Sequence, residues 1–236
     1  IMSAVVWALT AGLSLAGSHS VIRMGTEGAY PPWNYVDDNG EVAGFERELG
    51  DELCKRAELK CEWVINDWDS IIPNLVSGNY DTIIAGMSIT DERQEKIDFT
   101  SNYTQPDPSS YVAASEGADL SGGIIAAQSH TIQAAYIAGT GATLVEFATP
   151  EETISAVRNG EADAVLADTS YLNPIVAEDS GLMFAGDKVL IGGGVGMGIR
   201  KSDADLRDKF TAAINSMKAD GTLNALIVKH EIGETF

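Results

Sequence analysis

The sequence predicts an α/β fold with parallel strand pairing, organised as two similarly built lobes. Three observations carry this expectation. Short apolar runs that read as strands alternate with stretches whose apolar residues fall three or four apart, the pattern of parallel sheets covered by helices. The plan is also repeated. Val76-Ser77-Gly78-Asn79-Tyr80-Asp81 leads into the apolar run 82–85, and Arg158-Asn159-Gly160-Glu161-Ala162-Asp163 leads into 164–167. Each reads helix, glycine, two residues, aspartate, buried strand. The glycine supplies a left-handed cap and the aspartate a turn. Finally, 236 residues suit two lobes of roughly 100 residues each.

In chain order, 21–26 is a short apolar strand. Phe45, Leu49, Leu53 and Ala57 recur four apart on one helix face. Residues 61–65 read as a strand with Trp63 and Ile65 on one side. Asp69 is placed to cap a helix through Ile71, Ile72, Leu75 and Val76 that stops at Gly78, and 82–85 is the buried strand after it. In the second unit, 123–127 is a strand, a helix begins at Thr131 and runs to Ile137, and 143–147 is a strand. Thr149-Pro150-Glu151-Glu152 is a capping box with proline at the first helical position. Its helix carries Ile154 and Val157 and stops at Gly160. The glycine run 192–198 reads as a pliable connection. Two helical stretches, 205–219 and 223–229, flank the turn Asp220-Gly221.

Asp and Glu exceed Lys and Arg by 20, so phosphate backbones and anionic lipid surfaces would be repelled and nucleic acid is not expected as a partner. No phosphate-binding glycine motif is present, and no cofactor is expected. Residues 1–18 are apolar, uncharged and too short to span a bilayer securely. They end in Ser14-Leu15-Ala16, and read as a secretory signal to be removed. In an exported chain the two cysteines, Cys54 and Cys61, are best read as a disulfide. Only three histidines are present and none has metal-ligand spacing with them, so no metal site is expected.

Ligands of open α/β sheets bind beyond the carboxyl ends of the strands. Glu27, Tyr30 and Trp33 follow the first strand, and Trp68 follows 61–65. Gly86, Met87, Ser88 and Arg93 follow 82–85. Gln128, Thr131 and Ile132 follow 123–127, and Asp168 follows 164–167. Arg93 is a fork donor for a carboxylate, and the N–H groups of Thr131 and Ile132 at a helix start suit an anion. Asp168, the Ser88 hydroxyl and the Gly86 carbonyl can accept three hydrogen bonds from an ammonium. Glu27 suits a second cation, while Tyr30, Trp33 and Trp68 offer flat apolar walls. Together they describe recognition of an α-amino acid with a basic side chain. Taken singly, each has an ordinary alternative. Arg93 lies among Asp91, Glu92 and Glu95, Glu27 reads as a loop acid, and the tryptophans read as packing.

The chain resembles the bacterial periplasmic solute-binding proteins of polar amino-acid ABC transporters, especially the lysine/arginine/ornithine- and histidine-binding type. The resemblance rests on Ile22-Arg23-Met24-Gly25-Thr26-Glu27, Gly44-Phe45-Glu46 with Glu48-Leu49, Cys54-Lys55-Arg56, and Ile72-Pro73 with Leu75. It rests further on Ser88-Ile89-Thr90-Asp91-Glu92-Arg93, Gly196-Met197-Gly198-Ile199-Arg200-Lys201 and Asp220-Gly221-Thr222. It implies a two-lobed α/β fold with mixed sheets, residues 20–105 with 193–236 forming one lobe and 106–192 the other. Two strands would cross between the lobes, and ligand would be captured by hinge closure. It implies that Arg93, with the N–H groups of Ser88 and Thr131, holds an α-carboxylate. Asp168 and Ser88 would hold the α-ammonium, Glu27 would meet a basic side chain, and Tyr30 and Trp68 would sandwich it. The cysteine pair fits the same subgroup.

Three positions depart from the pattern. Ala85-Gly86 stands where basic-amino-acid binders often carry hydroxyls, Arg47 lies where an apolar residue is usual, and Gln128 offers an amide where the ligand side chain reaches. Arginine, lysine, ornithine, histidine, glutamine and opine-like conjugates all remain as ligands. The expected partners are a free L-amino acid and the membrane subunits of an ABC permease, with the protein a periplasmic monomer that catalyses no reaction. The alternatives are a periplasmic dehydratase of arogenate or prephenate type on this scaffold, or the ligand-sensing domain of a receptor.

Overall fold

The computed structural model describes residues 21–236. The signal-peptide reading of residues 1–18 lies outside the described residues. The first elements are β1 (Ile22–Thr26), β2 (Ala29–Tyr30), β3 (Asn34–Val36), β4 (Val42–Ala43), α1 (Phe45–Arg56) and β5 (Cys61–Ile65). A 3₁₀ turn, Trp68–Ser70, leads into α2 (Ile71–Val76), β6 (Thr82–Ile83), α3 (Asp91–Gln94) and β7 (Asp98–Phe99). Then come β8 (Ser109–Ala113), β9 (Ile124–Gln128), α4 (Ile132–Ala138), β10 (Thr143–Phe147), α5 (Pro150–Arg158), β11 (Ala164–Asp168), α6 (Thr169–Glu178) and β12 (Met183–Val189). The chain ends with β13 (Gly198–Ile199), α7 (Ala204–Ala219) and α8 (Thr222–Lys229).

Two five-stranded mixed sheets result. The first has the order β5-β1-β6-β13-β7 and the second β10-β9-β11-β8-β12. In each, three strands run parallel (β5, β1 and β6; β10, β9 and β11), and the fourth place is taken by an antiparallel strand, β13 or β8. The α/β fold with repeated units is therefore as the alternation and the duplicated turn predict. The chain passes between the sheets twice, once after β7 and once before β13.

Local chemistry accounts for the elements. Phe45, Leu49 and Leu53 turn one apolar stripe of α1 onto the first sheet and are fully buried. The Cys54–Cys61 disulfide ties the end of α1 to the start of β5. The Thr149 capping box is present, with Pro150 at the first turn of α5. Gly78 and Gly160 both sit in the left-handed region, at φ 83° and 74°.

Two expectations need correction. Asp69 does not cap α2: it lies inside the 3₁₀ turn, Ser70 occupies the cap position, and no side chain bonds the helix start. The glycine run 192–198 is not slack chain either. Val195 bridges to both Ser88 and Thr104, and Ile89 N–H donates to the Gly194 carbonyl. A Cβ at Gly194 would stand 2.5 Å from the Thr104 carbonyl oxygen, so this glycine is there for close backbone approach.

The core does not stop at the sheet boundary. One buried cluster contains Tyr30, Trp33 and Phe45 from the first half of the chain and Ile154, Tyr171 and Leu172 from the second. The two lobes are thus packed against each other, and the structure is that of closed jaws. No helix among the described residues is long and apolar enough to cross a membrane.

Candidate functional site

The hollow between the lobes is enclosed by ends of strands from both sheets. Glu27 follows β1 and Asp168 closes β11. Gln128 closes β9, and Thr131 caps α4 by accepting from Ala134 N–H. These residues line one hollow together with Tyr30, Trp68, Gly86, Ser88, Arg93 and Ile132. Ten of the twelve residues named from the sequence therefore meet in one place.

Trp33 and Met87 do not. Trp33 is fully buried, and its indole N–H donates to Ser170 Oγ at 2.8 Å. Met87 is fully buried with Trp68, Ile71 and Leu75 in the first lobe. Both follow a strand end in sequence, but each side chain fills a core rather than the hollow. Asp168 Oδ1 is held by Gln133 Nε2 at 2.8 Å, and Gln133 joins the lining although it is not among the strand-end residues that the sequence singles out. A signal existed: Gln133 stands four residues before Ile137, so it is a polar residue on the apolar face of α4, and both are buried.

Arg93 spans the mouth. Its guanidinium donates to the Ser88 carbonyl at 2.8 Å and to the His130 carbonyl at 3.2 Å, and lies 5.4 Å from the centre of the Trp68 ring. Burial lowers its pKa to about 10, so it stays cationic at neutral pH. Opposite, the Tyr30 hydroxyl donates to Asp168 Oδ2 at 2.9 Å, and Tyr171 stacks on the Tyr30 ring at 4.2 Å. Each flat wall thus already has one face covered.

Burial raises the Asp168 carboxyl, and the neighbouring Asp107 carboxylate adds to this, against the pull of Tyr30, Gln133 and Arg93. Burial likewise pushes Glu27 up to about 7, partly offset by a hydrogen bond from Gln128 Nε2 at 2.6 Å. Asp67, Asp69 and Glu46 add repulsion in the same direction.

Behind the hollow lies Glu46, fully buried in the first turn of α1. It accepts from Gly86 N–H at 2.7 Å, from Asn34 Nδ2 at 2.7 Å and from the Tyr103 hydroxyl. Burial raises its pKa while these donors pull it down. Gly86 has φ 59°, a conformation that favours glycine, and its N–H is pinned by Glu46. The lining strand end is thus fixed from below by a carboxylate that does not itself border the hollow.

A zwitterion fits this arrangement. A cationic fork on α3 and a carboxylate at the end of β11 border the same small space, and a second carboxylate stands beside it. Two mixed α/β lobes around a polar hollow are the architecture of the solute-binding proteins. The chain belongs to the bacterial extracellular solute-binding proteins, family 3, whose profile matches residues 22–233. The chain is 33% identical over 249 residues to the lysine/arginine/ornithine-binding periplasmic protein of Escherichia coli (strain K12), covering 97% of this chain and 94% of that one. It is 32% identical over 247 residues to the histidine-binding periplasmic protein of Salmonella typhimurium, with the same two coverages. Among solved structures, a periplasmic His/Glu/Gln/Arg/opine family-binding protein from Silicibacter pomeroyi in complex with lysine is 76% identical. It superposes with a TM-score of 0.87 over 89% of this chain and 96% of that one. The resemblance read from the sequence is therefore borne out.

Proposed function

We propose that this protein captures a polar L-amino acid with a basic side chain in the periplasm and presents it to the membrane subunits of an ABC transporter. The observation that carries the reading is that Arg93, on α3, and Asp168, at the end of β11, line one hollow with Glu27. In this reading Arg93, with the N–H groups of Ser88 and Thr131, holds the α-carboxylate. Asp168, the Ser88 hydroxyl and the Gly86 carbonyl hold the α-ammonium. Glu27 meets the side-chain cation, with the uncovered faces of Tyr30 and Trp68 beside it. Residues 20–105 with 193–236 move as one lobe and 106–192 as the other, so affinity comes from closure around a desolvated zwitterion. The protein acts as a monomer, exported through residues 1–18, which are then removed. Calorimetric titration with the twenty amino acids tests the reading. Lysine, arginine and ornithine should bind far more tightly than aspartate or glutamate. Equal affinity for glutamate and arginine defeats the role given to Glu27.

One observation favours a second reading. A carboxyl raised to about 7 inside a cleft, as at Glu27, has the pKa of a general acid. A dehydratase would use it on arogenate or prephenate. Gln128 already engages that carboxyl, and the binding reading leaves it no proton to deliver. Turnover of either compound by the purified protein would decide for the enzyme.

A further inference from the structure

Two turns of the site are joined beneath the hollow by a relay of two buried side chains. Gly28 N–H, next in the chain to Glu27, donates to Asn34 Oδ1 at 2.7 Å. Asn34 Nδ2 donates to Glu46 Oε2 at 2.7 Å, and Gly86 N–H donates to Glu46 Oε1 at 2.7 Å. The Tyr103 hydroxyl donates to the same Oε1, so that oxygen is held by two groups. Gly28 and Gly86 both have positive φ, 73° and 59°, so each end of the relay pins a left-handed turn. Asn34 and Glu46 are both fully buried, out of reach of bulk water.

We propose that Glu46 is a positioning residue: as the acceptor-only link between Gly28 and Gly86, it sets the aim of the Glu27 carboxylate and of the Gly86 carbonyl at the ligand. This rests on the reading that those two groups meet the cations of the ligand. A path with an N–H at each end closes only if one of its members accepts on both sides. A carboxylate does so, whereas an amide accepts on one side and donates on the other. Asn34 therefore passes the direction of the hydrogen bonds along, and Glu46 reverses it. Glu46→Gln keeps the volume but leaves one break in every orientation of the two amides. Gly86 and Tyr103 hold an acceptor at the place of Oε1, so the break falls at Asn34 or at Gly28, on the side of Glu27. A donor unmet in a desolvated place is costly, and the turn that bears it opens to meet water. Adding Asn34→Asp moves the acceptor-only member one link along. It closes the path again with the volume and the net charge of the unsubstituted chain.

The experiment is calorimetric titration of L-lysine against the full chain, Glu46→Gln, Asn34→Asp and the double variant. Amide hydrogen exchange at Gly28 and Gly86 is followed in each, with and without lysine. Glu46→Gln should weaken lysine about ten-fold or more. Asn34→Asp alone sets two carboxylates face to face and should weaken it at least as much. The double variant should return to within about three-fold of the unsubstituted protein. Exchange at Gly28 should quicken about ten-fold or more in Glu46→Gln, with Gly86 little changed, and should slow again in the double variant. Losses that add in the double variant overturn the proposal, because a residue that only fills space has no partner to rescue it. Binding restored without slower exchange at Gly28 also overturns it, and would mark a role of charge alone. If Glu46→Gln does not fold, the double variant carries the test: it should fold and bind lysine, and its failure to fold overturns the relay. If the unsubstituted protein binds no basic amino acid, the reading of the ligand fails, while exchange at Gly28 in the free chain still decides the relay.

Discussion

Asp81 and Asp163 make the same pair of hydrogen bonds in the two sheets. Asp81 N–H donates to the Arg23 carbonyl at 2.9 Å while its carboxylate accepts from Arg23 N–H at 2.9 Å. Asp163 N–H donates to the Ile124 carbonyl at 2.8 Å while its carboxylate accepts from Ile124 N–H at 2.7 Å. Each aspartate thus clamps the start of the central parallel strand of its sheet, β1 or β9. The surroundings differ. Asp81 is buried and also bonds the guanidiniums of Arg23 and Arg200, whereas Asp163 is exposed. Asp81→Asn is therefore expected to destabilise by about 3–5 kcal/mol, because two cations are left beside a buried neutral group. Asp163→Asn should cost about 1 kcal/mol or less. Denaturant unfolding of the two variants checks this, and equal costs would refute it.

The same ion pairs set an acid limit on stability. The Arg23 and Arg200 contacts hold Asp81 down at about 2, against burial. A depressed native pKa contributes stability that is present above the ordinary carboxylate value of about 3.9 and is lost as pH falls towards 2. Thermal unfolding of the native chain should weaken steeply across that window. The drop attributable to this site should be missing in Asp81→Asn.

Arg93→Ala is expected to abolish measurable amino-acid binding while leaving the fold intact. Arg93 lies at the mouth of the hollow, and the two carbonyls it bonds belong to loops rather than to the core. Removing the charged partner of a desolvated carboxylate costs about 3–5 kcal/mol. That corresponds to a loss of roughly a hundred- to several-thousand-fold in affinity. Calorimetry against lysine, beside circular dichroism of the free variant, separates a binding defect from a folding defect.

Ligand binding should depend on pH in the direction set by Glu27. Burial raises this carboxyl to about 7 in the closed form, so closure without ligand is favoured while the group is protonated. That support is lost as pH rises from the ordinary value of about 4.3 through 7. A cationic side chain needs the ionised form. Affinity for lysine should therefore increase from pH 5 to pH 8, with protons released on binding by whatever share of the free protein is already closed. Titration in buffers of different ionisation enthalpy measures that release, and a flat profile would remove Glu27 from the side-chain site.

Much of this was legible in the sequence because it is local. The Thr149 capping box, the left-handed Gly78 and Gly160, and the strand ends that bring Glu27, Arg93, Gln128 and Asp168 together follow from spacing and from the rule that sheets bind ligand at their carboxyl edges. What was not legible is long-range or aperiodic. The strands β2, β3 and β4 have two or three residues each, too few to show an alternation. The helix α6 carries Pro174 in its interior, which hides it from a periodicity argument. The place of Glu46 depends on Asn34, Gly86 and Tyr103 arriving from three other parts of the chain. Trp33 and Met87 stand beside site residues in sequence, and nothing local tells that their side chains turn inward.

Trp33 has a different part in closure. Its indole N–H reaches Ser170 Oγ in α6 at 2.8 Å, and Ser170 Oγ in turn donates to Asp107 Oδ2 at 2.6 Å, on the segment that joins β7 to β8. Neither Trp33 nor Ser170 borders the hollow, so this bond forms on closing without touching ligand. Removing it should destabilise the closed form alone. Ser170→Ala removes this bond together with the Ser170–Asp107 bond, and only the Trp33 bond depends on closure, so the variant is expected to weaken lysine, arginine and ornithine by the same factor, about 2- to 10-fold, the worth of that one bond. Their rank order should not change, because no ligand-contacting group is altered. Small-angle scattering at subsaturating lysine should show a larger open fraction than in the unsubstituted protein. A change in the lysine-to-arginine ratio would instead place Ser170 in ligand recognition and end its assignment as a latch.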